Sequence, residues 1–373
     1  MSYVNLTGHR SMALDSIRNA AYARALERMI GRDSVVLDIG AGTGVHGLMA
    51  AKVGARRVYL VEPEDVIAVA EENVRANGLQ DVVTCLQGRI EDVELPEPVD
   101  VIVSALTGNL LVTEDLLPSL FYARDRYLKK GGALVPDQAT LTVVPVSAPS
   151  LHDEEILAWS APQAGIDLHA ARSYASNTVS YRSQGSEGLS YLAEPTVIHR
   201  LDFCESGYEA FRTEIEVPIA TTGTCHGWIG WLSIRLGEEW LSASPRDART
   251  HWSWGFLPLD PPLHIENGEP VRFRLARAPY GDWLWEMTAR SGSQRHSTLL
   301  SLPMKATTIE KASLQYHPAL TEEGRALAHV LARCDGRQGV EEIAESLQAL
   351  MPQRYRTSAE ARRFVQLAVK RHA

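Results

Sequence analysis

The sequence predicts an α/β fold in which a doubly wound domain precedes a β-rich domain and a small helical one. Three observations carry that prediction. Short apolar, β-branched runs alternate with helix-length stretches over residues 12–146. Short alternating segments and all eight tryptophans fall in 147–305. Capped segments of helical period close the chain after residue 316.

In the first part, residues 34–39, 57–62 and 100–104 are apolar almost throughout, the pattern of strands covered on both faces in a parallel sheet. A helix is expected over 44–53 and another over 63–77, with Gly78 as its stop. Strand–helix–strand connections this short wind the sheet in one hand and leave parallel neighbours. In the second part, strands are expected at 196–203, 227–235 and 270–275. Seven of the eight tryptophans lie between Trp228 and Trp285, and burial of aromatic area makes them the core of a barrel or sandwich. In the third part, Thr321 is a helix N-cap with Glu322 and Glu323 in the first turn and Gly336 as the stop. A second helix buries Val340, Ile343, Ala344 and Leu347 and ends before Pro352; a third starts at Ser358.

Composition bounds the function. The chain has 373 residues, with 37 Lys and Arg against 46 Asp and Glu, a net charge of −9. That balance speaks against nucleic acid as a partner. No apolar run reaches the ~18–20 residues that span a bilayer and the start is no signal peptide, so a cytoplasmic protein is expected, without a membrane partner. The four cysteines form no Cys-x-x-Cys pair, so neither a disulfide framework nor a metal site is indicated. Residues 301–373 hold 11 basic and 8 acidic side chains, which makes the helical end mildly basic.

The sharpest chemical signal is Asp38-Ile39-Gly40-Ala41-Gly42-Thr43-Gly44 between a strand and a helix. Glycines there let backbone approach a ligand, and the helix N-terminus favours polar groups. The spacing is Gly-x-Gly-x-Gly, not the Gly-x-Gly-x-x-Gly that cradles a pyrophosphate. Glu62 ends the next strand, where a carboxylate can accept from both ribose hydroxyls. The cofactor this set suits is S-adenosylmethionine.

Several separated motifs add a resemblance. They are Met12-Ala13-Leu14-Asp15-Ser16-Ile17-Arg18 with Tyr22, the glycine turn itself, and Gly88-Arg89-Ile90-Glu91-Asp92-Val93-Glu94-Leu95-Pro96. Phe121-Tyr122-Ala123-Arg124-Asp125, Pro136-Asp137-Gln138-Ala139-Thr140-Leu141 and Thr250-His251-Trp252 complete the set. With these, residues 9–290 resemble the catalytic core of the protein arginine methyltransferases. The resemblance implies a seven-strand S-adenosylmethionine-binding domain over 1–146 and a β-barrel substrate and dimerisation domain over 147–310. It also implies a head-to-tail homodimer, with an arm drawn from residues 159–180.

Residue by residue, the resemblance implies that Arg18 pairs with the cofactor carboxylate and that Asp38, Gly40 and Gly42 shape its pocket. Glu62 would hold the ribose and Glu91 the adenine amino group. His251 would pair with Asp15 beside the pocket, and Glu114 would hold the acceptor. The family grips a guanidinium with two glutamates, and Ala105 stands where the first belongs. A hydrogen bond to a charged group is worth ~1.5–3 kcal/mol, so at least about a tenfold handicap for arginine is expected. The acceptor thus stays open between arginine and a smaller or less charged nitrogen.

Residues 316–373 resemble, less specifically, PqqD-type units that bind leader peptides, on Leu320-Thr321-Glu322-Glu323 and Leu331-Ala332-Arg333-Cys334-Asp335-Gly336. The function expected is S-adenosylmethionine-dependent methylation of a peptide or protein side chain at nitrogen, with ribosomally made natural-product precursors among the substrates. A free amino acid or small intermediate as acceptor is the alternative, and an inactive scaffold a third.

Overall fold

The computed structural model describes residues 6–183, 185, 187–311 and 313–372. The chain divides into two compact units, Met1–Pro303 and Met304–Ala373.

The first unit opens with helices α1 (Leu6–Ala13) and α2 (Ser16–Met29). Strands β1 (Val35–Ile39), β2 (Arg57–Glu62), β3 (Val83–Gln87), β4 (Val99–Ser104) and β5 (Leu128–Val135) follow, interleaved with α3 (Val45–Val53), α4 (Ile67–Ala76) and α5 (Leu117–Tyr127). They form one parallel sheet of order β3-β2-β1-β4-β5. The chain runs outward from β1 to β3 and then returns to β4. The order therefore reverses between β1 and β4, and a crevice at the carboxyl ends of those two strands is where such sheets bind ligands. Strand β1 is buried at every position, as its apolar run predicts.

The resemblance implied seven strands, whereas the parallel sheet has five. Strand β6 (Gln138–Ser147) turns away and pairs antiparallel with β11 (Gly223–Leu236) from Gln138↔Arg235 to Val146↔Gly227. A bidentate pair from Arg235 to Asp137, at 2.9 and 2.5 Å, fixes the start of that ladder. The antiparallel part thus takes in residues 138–147, all but the last of which fall within the 1–146 expected for the α/β part.

Two antiparallel sheets make up the rest of this unit. One joins β6 and β11 to β7 (Ser180–Arg182), β8 (Ser190–Tyr191), β9 (Thr196–Asp202), β12 (Glu239–Ser242) and β13 (Trp254–Ile265). The other has the order β10 (Phe211–Pro218), β14 (Pro270–Arg277), β15 (Trp283–Ala289), β16 (Gly292–Ser297). Trp228 stacks on Phe273 at 4.0 Å between centroids, and Trp285 donates to the Pro258 carbonyl at 2.9 Å. Six of the seven clustered tryptophans are buried, with Trp240 the exposed exception. Helices α6 (Pro149–Glu155) and α7 (Arg172–Ala175) flank a segment in which Trp159, Ile166 and Leu168 are exposed.

The second unit holds α8 (Ala306–Lys311), α9 (Glu322–Leu331), α10 (Val340–Leu350) and α11 (Ser358–His372). Thr321 caps α9 by accepting from the Gly324 N–H. Val330, Leu347 and Val365, one from each of the last three helices, share a core of this unit's own. No helix among the described residues is long and apolar enough to cross a membrane.

Candidate active site

The site is built where the sheet reverses. At the end of β1, Gly40, Gly42 and Gly44 adopt left-handed backbone at φ 65°, 54° and 83°, which a side chain would strain. A Cβ on Gly42 would lie 2.8 Å from Nδ1 of His9, so α1 sits directly over the turn. Glu62 is buried; one oxygen accepts from the Gly42 N–H at 2.9 Å and the other from the Glu64 N–H at 3.1 Å. The carboxylate that ends β2 thereby sets the turn that ends β1. Asp38 accepts from the Gly47 N–H at 2.8 Å, and burial pushes its carboxyl up to about 7.

Glu91 accepts from the Ser119 hydroxyl at 2.7 Å through one oxygen. Its other oxygen is buried with no hydrogen bond and lies 3.4 Å from Arg89. A buried carboxylate oxygen with spare accepting capacity suits an amino group such as adenine carries. With the glycine cradle and the Glu62 carboxylate, the donor set fits an adenosyl nucleoside without a pyrophosphate.

Helix α2 closes the crevice. Its N-cap is Asp15, which accepts from the Arg18 N–H at 2.9 Å. Arg18 is buried, and its guanidinium donates to the Met12 carbonyl at 2.8 Å and to Asn19. Tyr22 donates to the Ser104 carbonyl at 2.8 Å and stacks on His46. The second Asp15 oxygen accepts from the His251 backbone N–H at 2.7 Å and lies 3.1 Å from His251 Nδ1. Burial raises the Asp15 carboxyl, but these hydrogen bonds outweigh it and leave the group below its ordinary range. Burial also pushes His251 below its ordinary value despite the neighbouring Asp15 carboxylate.

Trp252 and Ser253 hold the loop that follows β4. The indole N–H donates to the Thr107 carbonyl at 2.9 Å, and the Ser253 N–H to the Asn109 side chain at 2.9 Å. Leu110 and Leu111 are fully buried in left-handed backbone, at φ 49° and 69°. A Cβ on Gly230 or Gly255 would come within 2.9 Å of the Leu110 side chain, so the two glycines make the socket for it. At the end of the loop, Arg277 forms a bidentate pair with Asp115 at 2.8 and 2.5 Å and donates to the Val112 carbonyl at 2.8 Å. Tyr208 donates to the same carboxylate. The Arg277 pair holds Asp115 down at about 2.

Glu114 lies between these anchors and lines a cavity of about 930 Å³ with Asp15, His251, Asn109, Thr113 and Tyr181. The structure therefore gathers Glu114, His251 and Asp15 on one wall system, and Asp38, Gly40, Gly42 and Glu62 at the sheet reversal. Ala105 follows β4 directly and brings no carboxylate. Sequence reasoning missed His9, which sits three residues before the motif that starts at Met12. It also missed Asp115 with Arg277, 162 residues apart, for which no local signal exists.

Residues 36–132 match the family described as "Methyltransferase domain", and 137–285 match "Arginine methyltransferase oligomerization subdomain". The chain is 30% identical over 308 residues to "Probable protein arginine N-methyltransferase 6.1" of Oryza sativa subsp. japonica, covering 72% of this chain and 78% of that protein. It is 30% identical over 287 residues to "Protein arginine N-methyltransferase 1.1" of Arabidopsis thaliana, covering 74% and 73%. Among solved structures, "Trypanosoma brucei PRMT1 enzyme-prozyme heterotetrameric complex with AdoHcy" superposes with a TM-score of 0.72 at 26% identity. That match spans 80% of this chain and 99% of the other. With S-adenosylmethionine as the cofactor, the chain belongs to the protein arginine methyltransferase family and is a methyltransferase enzyme.

Proposed function

We propose that the enzyme methylates a side-chain nitrogen of arginine in a protein or peptide, with Glu114 as the single loop carboxylate that holds the acceptor. The observation that carries this reading is that Glu114 lines one cavity with the joined pair Asp15 and His251. The relatives' names favour protein arginine over a natural-product precursor or a free amino acid. The inert-scaffold expectation gives way to an enzyme. Leader-peptide docking by residues 316–373 forms no part of this reading.

In this reading Arg18, Asp38, Glu62 and Glu91 hold the cofactor. When bound, S-adenosylmethionine supplies an electrophilic methyl group on a sulfonium. Glu114 accepts a hydrogen bond from the acceptor, orients its lone pair and takes up the proton that the nitrogen loses. A carboxylate at that point also stabilises the positive charge that grows on the acceptor. Asp15 and His251 fasten the cofactor-covering helix to the segment that carries Trp252, so both halves of the site keep one geometry. Asp115 and Arg277 act as positioning residues for Glu114.

The test is Ala105→Glu. It restores the second carboxylate and should raise kcat/KM for an arginine peptide by about tenfold, the worth of one charge-assisted hydrogen bond. A fall in arginine transfer, together with transfer to a neutral nitrogen in the wild type, favours the second reading that Ala105 itself suggests. That reading is an acceptor smaller or less charged than arginine.

We also propose a homodimer joined through the segment of Trp159, Ile166 and Leu168, whose exposed apolar side chains suit burial against a second copy. Sedimentation at micromolar concentration should give twice the 41.1 kDa chain mass, and Trp159→Asp should return the monomer. A monomeric wild type contradicts the dimer.

A further inference from the structure

Helix α3 starts at the glycine turn, and of its buried residues, His46, Gly47, Ala50 and Ala51, only His46 carries a polar side chain. Its ring stacks on Tyr22 of α2, with 4.1 Å between centroids and 11° between planes. His46 is 5% exposed, and its Nε2 is buried with no hydrogen-bond partner among the described residues. An apolar side chain would fill the same place without that orphan, and buried nitrogens without partners are rare because each forfeits its bonds to water. Arg18 and His251, both on the walls of the cofactor crevice, are the groups that act electrostatically on the ring.

Arg18 has few donors left for a carboxylate. Its Nε and Nη2 are committed to the Asn19 side chain and the Met12 carbonyl, and among the described residues only Nη1 has no partner. A carboxylate offers about four lone-pair sites, and the arginine fork that would meet both oxygens is already occupied. The first turn of α3, which carries His46, is the further source of donors. Gly44 caps it without a side-chain hydrogen bond, so this helix end favours negative charge over an ammonium group.

We propose that His46 is a cofactor-binding residue whose Nε2–H donates to the amino-acid carboxylate of S-adenosylmethionine, sharing that carboxylate with Arg18. This rests on the reading that Arg18 holds the cofactor by its carboxylate and deepens it. Burial first, and then Arg18, push His46 well below its ordinary value, which keeps the ring uncharged at neutral pH. The site thus meets the carboxylate with one cation and one neutral donor, and the ring's other face stays packed on the cofactor-covering helix.

The experiment is calorimetry of the full-length protein with S-adenosylhomocysteine and with its decarboxylated analogue, which keeps the amino group and lacks only the carboxylate. Wild type should bind S-adenosylhomocysteine about 100-fold more tightly than the analogue, the worth of two hydrogen bonds to a charged group. His46→Leu, which fills the same space, should cost about tenfold with S-adenosylhomocysteine and less than about twofold with the analogue. His46→Gln keeps a donor N–H and should recover part of that loss. In wild type isotope-labelled at histidine, the His46 Nε2 proton should exchange slowly with S-adenosylhomocysteine bound and rapidly with the analogue bound. An equal loss for both ligands in His46→Leu makes His46 a packing residue and overturns the proposal, as does an unchanged affinity. Arg18→Lys separates the proposal from the reading beneath it. If Arg18→Lys discriminates between the two ligands and His46→Leu does not, the Arg18 reading stands and the proposal falls. If neither discriminates, the carboxylate is held elsewhere and both fall.

Discussion

Glu114→Gln should lower kcat/KM for methyl transfer by about 10²–10³-fold while leaving S-adenosylhomocysteine affinity within about twofold of wild type. Glutamine keeps the volume and one acceptor oxygen, so the loop packs as before and only the charge and the proton acceptor are lost. Gly108 already approaches closely, since a Cβ there would lie 3.0 Å from Glu114 Cγ, and the substitution leaves that contact unchanged. Stopped or steady-state transfer of labelled methyl measures the effect. A loss below about tenfold would contradict a role for Glu114 at the reacting nitrogen. Asp115→Asn is the informative neighbour. It halves the bidentate grip of Arg277 and should cost about tenfold in kcat/KM, with cofactor affinity retained. Because Asp115 is held at about 2, below its ordinary 3.8, its stabilising charge is fully present above pH 4 and is lost only as pH falls towards 2. The Asp115→Asn defect should therefore be constant between pH 6 and 9, and a defect that varies across that window contradicts the clamp.

Glu62→Ala should weaken cofactor binding by about 100-fold or more, measured by calorimetry with S-adenosylhomocysteine. Two effects add. The Gly42 and Glu64 N–H groups lose their carboxylate partner in a buried place, and the ribose hydroxyls lose their acceptor. Hydrogen bonds to a charged group are worth ~1.5–3 kcal/mol each, so losing two of them approaches or exceeds a factor of 100. Glu62→Gln keeps an oxygen for one donor and should fall between. An unchanged affinity in Glu62→Ala would remove the carboxylate at the end of β2 from the cofactor site.

The parallel core was legible because its strands are apolar on both faces. The expected 57–62 is β2 itself, and 34–39 and 100–104 differ from β1 and β4 by one residue. The helix expected over 63–77 starts only at Ile67, since the stretch after Glu62 is spent on the turn that places its carboxylate. Strand β6 pairs with a partner far along the chain. Its buried run looks like another parallel strand, and nothing local reveals that its partner is β11, some eighty residues on. In the site, Glu62 and the glycine turn are close in sequence and could be read together. Asp15 and His251, 236 residues apart, were joined only through the resemblance, and the structure places them 3.1 Å apart. The left-handed Leu110 followed no local rule, because its side chain fits the sockets that Gly230 and Gly255 leave open.

The central claim is that a single loop carboxylate, Glu114, serves methyl transfer to an arginine nitrogen. Its most direct test is labelled transfer to four peptides that differ only in an Arg, His, Lys or Asn acceptor, read by mass spectrometry of the labelled residue. Label should appear on the arginine side chain, be lost in Glu114→Gln and increase in Ala105→Glu. Label confined to another acceptor, or arginine transfer indifferent to Glu114→Gln, would contradict it.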